Sequence, residues 1–93
     1  MATEFEWDPH KAASNLAKHR VAFPEAKTVF YDPLSITYAD PDHSDDEDRF
    51  IIIGTSEFGR LLIVSHTDRD DRIRIITARL VTRPERRLYE SRS

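Results

Sequence analysis

The chain has 93 residues, a formal net charge of −3 and no cysteine. A domain of this size buries only about 60 to 65% of its unfolded surface, so we expect one domain over residues 1–93 with one modest core. The absence of cysteine excludes disulfide bridges, thiolate metal sites and cysteine nucleophiles. The sequence shows no long apolar stretch and no signal-peptide pattern at its N-terminus, so a cytoplasmic protein is expected.

The net charge hides a division along the chain. From Arg72 to Ser93 seven arginines oppose two glutamates, which gives about +5 there and leaves about −8 for the rest. Guanidinium groups can bind phosphate through two parallel hydrogen bonds or stack on a base. The segment therefore indicates either a phosphate-binding surface or a solvated face that balances the acidic remainder.

Two short helices are predicted at the start of the chain. Asp8 and Pro9 form a typical helix start, a capping carboxylate followed by proline, and the helix should run to about Arg20. A second helix should begin near Pro24 and must stop before Pro33, because the residue preceding a proline avoids the helical conformation.

Alternating and β-branched patterns then predict four strands, of which the last three are joined by short turns. Glu57-Phe58-Gly59 reads as the turn of the central hairpin, with glycine supplying an unusual backbone angle. The acidic stretch 40–48 should be an exposed loop, either simply solvated or a contact surface for a basic partner segment. The predicted strands are Leu34–Ala39, Arg49–Ser56, Arg60–Thr67 and Arg72–Leu80.

Thr82 and Glu85 form a capping-box pattern that predicts a short closing helix through Tyr89. The fold class that follows is α+β: two N-terminal helices, a four-stranded antiparallel sheet and a short C-terminal helix, with the helices packed on one face of the sheet.

Many short pieces in this order resemble the BrnT family of toxins over about residues 5–90. The pieces are Phe5-Glu6-Trp7-Asp8-Pro9, Lys11, Asn15, Lys18-His19, Phe23-Pro24-Glu25-Ala26, Asp32-Pro33, Gly59-Arg60-Leu61-Leu62, His66-Thr67, the run from Arg72 to Arg79, Glu85 and Tyr89. The chain departs from the family at Arg20, where glycine is often found. The resemblance implies a RelE-like ribonuclease fold, RNA cleavage that stops translation, and a BrnA-like antitoxin with a ribbon-helix-helix DNA-binding region, through which the complex would bind promoter DNA.

RNA can be cut without a metal or other cofactor when its own 2′-hydroxyl attacks the adjacent phosphate, which requires a base, an acid and nearby cations. We predict that His66, Arg74, Arg79 and Tyr89 meet at one edge of the sheet. His66 is the preferred acid or base, because an unperturbed pKa of about 6.5 permits either role. The RelE-like resemblance makes Arg79 the phosphate clamp, with Arg74 as a second cation and Tyr89 for stacking or proton transfer. Each residue also has a purely structural interpretation.

Four further residues are predicted to bind RNA: Lys18, His19, Arg60 and Arg72. Lys18 and His19 equally suit the C-terminal end of a helix, where positive charge is favourable. Arg60 is expected to lie across from the end of the last strand, near Arg79. The acidic loop contains His43 but no glycine, so it does not match a calcium-binding loop, and no metal site is predicted.

Two functions remain open from the sequence. The first is a ribonuclease toxin held inactive by an antitoxin that covers the arginines. The second is a non-catalytic subunit of a toxin-antitoxin repressor complex. A direct DNA-binding role is weaker, because no segment resembles a recognition helix.

Overall fold

The computed structural model describes residues 3–43 and 48–91. The predicted acidic loop therefore falls partly outside the described residues: its start forms a 3-10 turn over Pro41–His43. No helix in the described ranges is long and apolar enough to cross a membrane. The elements, in chain order, are β1 Glu4–Glu6, α1 Pro9–His19, α2 Phe23–Thr28, a 3-10 turn Val29–Tyr31, β2 Ile36–Ala39, the turn Pro41–His43, β3 Arg49–Thr55, β4 Leu61–Arg69, β5 Arg72–Leu80 and α3 Arg83–Glu90.

Local signals fix the ends of α1. The Asp8 carboxylate accepts the backbone N–H of His10 at 2.8 Å, and Pro9 occupies the first turn, as predicted. The helix ends at Arg20, whose φ of 60° is left-handed and whose N–H donates to Leu16 O at 3.0 Å. This conformation suits glycine, the residue that the resemblance to the toxin family leads one to expect at this position.

The sheet is five-stranded and mixed, in the order β1-β5-β4-β3-β2, so the predicted four-stranded antiparallel sheet is wrong in one respect. The four predicted strands are antiparallel neighbours, but β1 adds to β5 in parallel, with Glu4 opposite Arg72 and Glu6 opposite Arg74. With three residues, β1 is too short to show a periodicity. Ion pairs from its glutamates to the two arginines support the pairing, at 3.3 Å and 3.0 Å.

Helices cover both faces of the sheet, whereas one covered face was predicted. α1 and α2 enclose the larger core with one face of β3, β4 and β5. The other face is covered by the segment that ends in α3. Its residues Val81 and Tyr89 pack there against Ile53, Leu61 and Ile63. The runs in β3 and β4 are apolar without interruption, which is typical of strands buried on both sides. The α3 capping box between Thr82 and Glu85 is confirmed.

One side chain of α1 closes part of the β5 edge. Asn15 is buried, and its amide accepts from Ala78 N–H at 3.1 Å and donates to Ala78 O at 2.8 Å, as a neighbouring strand would. The same amide nitrogen donates to Val21 O at 2.9 Å. Asn15 therefore joins α1, the following loop and β5, and it satisfies backbone groups that a bare edge would leave open.

Candidate functional site

The sheet face that carries α3 is only partly covered, and its open part is basic. Strand register places Arg49 opposite Thr67 and Thr67 opposite Arg74, so these side chains share one face. Ser65 pairs with Thr77, and Ile63 pairs with Arg79 on the same face. We call the surface formed by Arg49, Arg74 and Arg79 around Ser65 and Thr77 the arginine face.

A cleft of about 250 Å³ opens on the arginine face. It is lined by arginines, hydroxyl groups and two carboxylates from the segment after β2, of which Asp40 is buried and Asp42 is exposed at the rim. Its lining residues are Asp40, Asp42, Arg49, Ile51, Ile63, Ser65, Thr77 and Arg79.

A β-bulge brings Arg74 and Arg79 to the same face. Side chains alternate along a strand, so residues five apart would lie on opposite faces of a regular strand. The register between β4 and β5 shifts at Ser65 and His66, where the pairing passes from Thr77 to Ile75 and leaves Ile76 without a partner. That extra residue reverses the alternation and turns Arg74 toward the side of Arg79.

Arg79 is held by the first turn of α3. Its guanidinium donates two hydrogen bonds of 2.9 Å to the two carboxylate oxygens of Glu85, which also accept the Thr82 backbone N–H. This pair raises the pKa of Arg79 and lowers the pKa of Glu85. Tyr38 lies nearby on β2, where burial first and the Glu85 charge second raise the pKa of its phenol. A phosphate at Arg79 must therefore compete with a carboxylate already in place.

The arginines at the other end of β5 are also paired. Arg74 donates to Glu6 at 3.0 Å, and Arg72 lies 3.5 Å from the same carboxyl group. Hydrogen bonding from Arg74 is the main cause that holds the pKa of Glu6 below its usual value. Arg72 remains more than half exposed.

His66 does not join these residues, so the predicted meeting of four side chains at one edge is wrong. It follows Ser65 in β4 and therefore points to the opposite, helix-covered face. It is only 4% exposed, with its ring centroid 4.8 Å from Phe30 and 6.0 Å from Phe50. Burial lowers its pKa, because desolvation disfavours the charged imidazole.

Tyr89 lies on the α3 side of the sheet but away from the arginine cleft. Its hydroxyl donates to an Asp32 carboxylate oxygen at 2.6 Å and lies 3.3 Å from the Thr55 hydroxyl. These contacts anchor the end of α3 to the end of β3 and to the loop before β2. Tyr89 therefore packs on the same sheet face as the arginines but is not among the residues that line their cleft.

Arg60 follows on from the pair Leu62–Leu80 and lies across from the end of β5, as predicted, but its side chain turns to α2 rather than to the arginine face. Its guanidinium pairs with the buried carboxylate of Glu25 on α2, with Nε to Oε2 at 2.9 Å, and donates to Arg20 O at 3.1 Å. Hydrogen bonding from Arg60 lowers the pKa of Glu25. The residue precedes β4 and ties the central hairpin to α2, so it does not extend the phosphate surface around Arg79.

Lys18 and His19 lie together, as the sequence indicates, but in a different cleft. This second cleft, of about 240 Å³, separates α1 from β5. It contacts the arginine cleft at one residue, Thr77, which lines both.

Sequence reasoning missed Arg49, Ser65, Thr77 and Tyr38. A signal for Arg49 was present in the central hairpin. Once Thr55 is paired with Leu61 across the turn, counting back along both strands places Arg49 opposite Thr67. The other three depend on which strand face stays open, and that depends on where α3 packs. Within the described ranges, no group of three or more potential metal ligands lies together.

Comparison with known proteins defines the class to which this fold and its basic face belong. Residues 7–85 match a family model described as "Ribonuclease toxin, BrnT, of type II toxin-antitoxin system". The crystal structure of the Brucella abortus ribonuclease toxin BrnT superposes with a TM-score of 0.64 at 19% identity, covering 88% of this chain and 100% of that one. No curated protein sequence matches the chain.

The matches indicate a ribonuclease toxin of a type II toxin-antitoxin system. The chain belongs to the BrnT family, which confirms the resemblance seen in the sequence.

Proposed function

We propose that the chain is an endoribonuclease that binds the scissile phosphate of RNA on the arginine face. The observation that carries this proposal is the bulge in β5, which places Arg74 on the same sheet face as Arg79, while Arg79 and Arg49 line one cleft together with the hydroxyl groups of Ser65 and Thr77. Fixed guanidinium groups around one phosphate stabilise the extra negative charge of a phosphorane without reorganisation during the reaction.

The proposed reaction needs no cofactor. The 2′-oxygen loses its proton to a base and attacks phosphorus, the bond from phosphorus to the 5′-oxygen breaks, and that oxygen takes up a proton. The products are a 2′,3′-cyclic phosphate and a free 5′-hydroxyl. The rim carboxylate of Asp42 is the candidate base, because it is exposed and lines the cleft beside the arginines. His43 follows it in the same turn, so both belong in the mutational series.

The first experiment is cleavage of a labelled RNA by the purified chain without antitoxin, in excess EDTA, with the product ends mapped. We expect cyclic phosphate ends. Arg79→Ala should lower kcat by about 10²- to 10³-fold, the effect of removing one donor that stabilises a developing anion. The matched control is Arg87→Ala, which removes an exposed α3 arginine outside the cleft. Equal cleavage by the two variants would refute the assignment of Arg79, and cleavage that disappears with EDTA would refute the metal-independent mechanism.

A second comparison tests the sequence-based catalytic residues His66 and Tyr89. His66→Phe keeps an aromatic ring against Phe30, and Tyr89→Phe removes only the hydroxyl that contacts Asp32. If the arginine face performs the reaction, both variants keep kcat within a few-fold of the wild type once folding is verified by circular dichroism. A loss comparable to that of Arg79→Ala would return His66 or Tyr89 to the reacting centre.

A specific observation also favours the second candidate, a non-catalytic subunit of a repressor complex. Arg74 and Arg79 are already neutralised by Glu6 and Glu85, and no histidine side chain lines the cleft among those that the structure describes. The EDTA assay separates the two functions: if RNA stays intact with the free chain and also with ribosomes present, the subunit role is supported.

We further propose that the partner is a ribbon-helix-helix antitoxin of the BrnA kind, that toxin activity inhibits translation, and that the complex contacts promoter DNA through the antitoxin alone. An antitoxin that covers the arginine face with carboxylates would compete with RNA phosphate at the same groups. Co-expression with such a protein should restore growth and protect RNA in the cleavage assay. Protection that persists when Arg49, Arg74 and Arg79 are all replaced would place the antitoxin elsewhere.

A further inference from the structure

The cleft between α1 and β5 is positioned to hold part of the same RNA. Its walls come from one side of α1, from Lys11 to His19, and from the bulged stretch of β5. Since Thr77 lines this cleft and also the arginine cleft, a strand bound at one can pass directly into the other. The lining residues are Lys11, Ser14, Asn15, Lys18, His19, Ile76 and Thr77.

The lysines of this second cleft differ from the β5 arginines because they are not held in ion pairs, although the charge of Lys11 helps to lower the pKa of Asp8. Lys11 and Lys18 are exposed, and among the described residues neither makes an ion pair. By contrast, Arg74 and Arg79 are each bound to a carboxylate. A phosphate at the lysines therefore displaces only water and counterions, whereas a phosphate at Arg79 must displace Glu85.

The floor of the second cleft is fixed. The Asn15 amide is fully engaged with Val21 and Ala78, so it shapes the cleft and donates nothing to a ligand. Ile76, the residue that the bulge leaves without a partner, is half-buried and offers apolar surface at the floor. Cations beside an apolar floor suit one nucleotide, with its phosphate at the lysines and its base against the floor.

We infer that the α1–β5 cleft is a second RNA subsite, which binds a nucleotide flanking the scissile phosphate as the strand crosses β5 at the bulge. This inference rests on the proposed ribonuclease function, and it assigns Lys11 and Lys18 to substrate binding. It also gives the bulge two roles, because the same extra residue aligns the arginines on one face and forms the floor of the neighbouring subsite.

The test is binding of a non-cleavable 2′-O-methyl RNA 10-mer across a salt series. For single strands, each phosphate contact contributes about −0.7 to the slope of log K against log salt concentration. Lys11→Ala/Lys18→Ala should therefore make the slope shallower by about 1.4. If affinities are equal at 1 M salt, binding at 0.1 M weakens about 25-fold. Lys27→Ala is the matched control for Lys18→Ala, because it removes a lysine from the last turn of α2, outside both clefts.

The outcomes separate this inference from the proposed function. Equal slopes for Lys11→Ala/Lys18→Ala, Lys27→Ala and the wild type overturn the second subsite. If those slopes are equal while Arg79→Ala weakens the 10-mer, the arginine face stands and the second subsite does not. If the wild type fails to bind the 10-mer at low salt, both fail. Lys11 and Lys18 are exposed, where alanine preserves the helix, and circular dichroism verifies the fold of the half-buried Lys27→Ala control.

Discussion

Replacing Asn15 with alanine should remove a large part of the stability of the fold. The substitution deletes hydrogen bonds of 2.8 Å and 3.1 Å to the two backbone groups of Ala78 and one of 2.9 Å to Val21 O. Each bond contributes about 1 kcal/mol net, and a buried partner left unsatisfied costs about 1 to 3 kcal/mol. Because Asn15 borders a cleft that water can enter, the lower values apply, and we expect a loss of about 3 kcal/mol.

That loss is large compared with the free energy of unfolding of the whole chain. A chain of this length has a free energy of unfolding of about 5 to 14 kcal/mol, so Asn15→Ala should remove a fifth or more of it. In urea denaturation the midpoint should fall with no change in slope, and Tm should drop by about 12 to 24 °C. Ser14→Ala is the matched control, since it changes an exposed neighbour that lines the same cleft.

A second variant separates hydrogen bonding from packing. Asn15→Asp keeps the volume and the acceptor for Ala78 N–H, but it turns a carboxylate oxygen toward the Val21 and Ala78 carbonyls. We expect it to be at least as destabilising as the alanine variant at neutral pH. A loss below about 1 kcal/mol for Asn15→Ala, or a mild effect of Asn15→Asp, would refute the role of this side chain as a substitute strand.

Three further predictions follow from the ionisable groups. Glu85→Gln removes the charge that holds Arg79, so RNA binding should tighten a few-fold in the salt series, while α3 loses about 1 kcal/mol of stability. Weaker RNA binding by this variant would contradict the competition between carboxylate and phosphate. Arg60 lowers the pKa of Glu25, so the Glu25 carboxylate takes up a proton less readily in the folded chain than in the unfolded chain. The free energy of unfolding should therefore fall as the pH drops below 4.5, the ordinary pKa of a glutamate. Glu25→Gln should flatten this pH dependence in urea denaturation. Burial lowers the pKa of His66, so stability should also fall as pH drops below 6.5, and His66→Phe should remove this step; an unchanged step would assign it to another group.

Features governed by neighbouring residues could be predicted from the sequence. The Asp8–Pro9 start, the stop before Pro33, the Thr82–Glu85 capping box and the bounds of β5 each depend on a few adjacent positions, and the structure confirms them. The pairing of β1 with β5 could not be predicted in the same way, because its reason lies in ion pairs between residues at opposite ends of the chain.

The composition of the site depended on features that no local pattern contains. Alternation alone puts Arg74 and Arg79 on opposite faces, and only the unpaired Ile76 reverses this. The same alternation assigns His66 to the face opposite Ser65, but which face stays open depends on where α3 packs. Residue type identified the arginines as candidates, whereas pairing register decided which of them act together.

The parallel pairing of β1 with β5 has a consequence for the order in which the sheet forms during synthesis. Glu6 and its partner Arg74 are separated by 68 positions, so the first strand to be made waits for the last before the sheet can close. At about 5 to 20 residues per second, synthesis of that interval takes about 3 to 14 seconds. Until that interval has been synthesised, the arginine face lacks Arg74. The sheet edge formed by β1 and β5 is therefore completed only after most of the chain has been made.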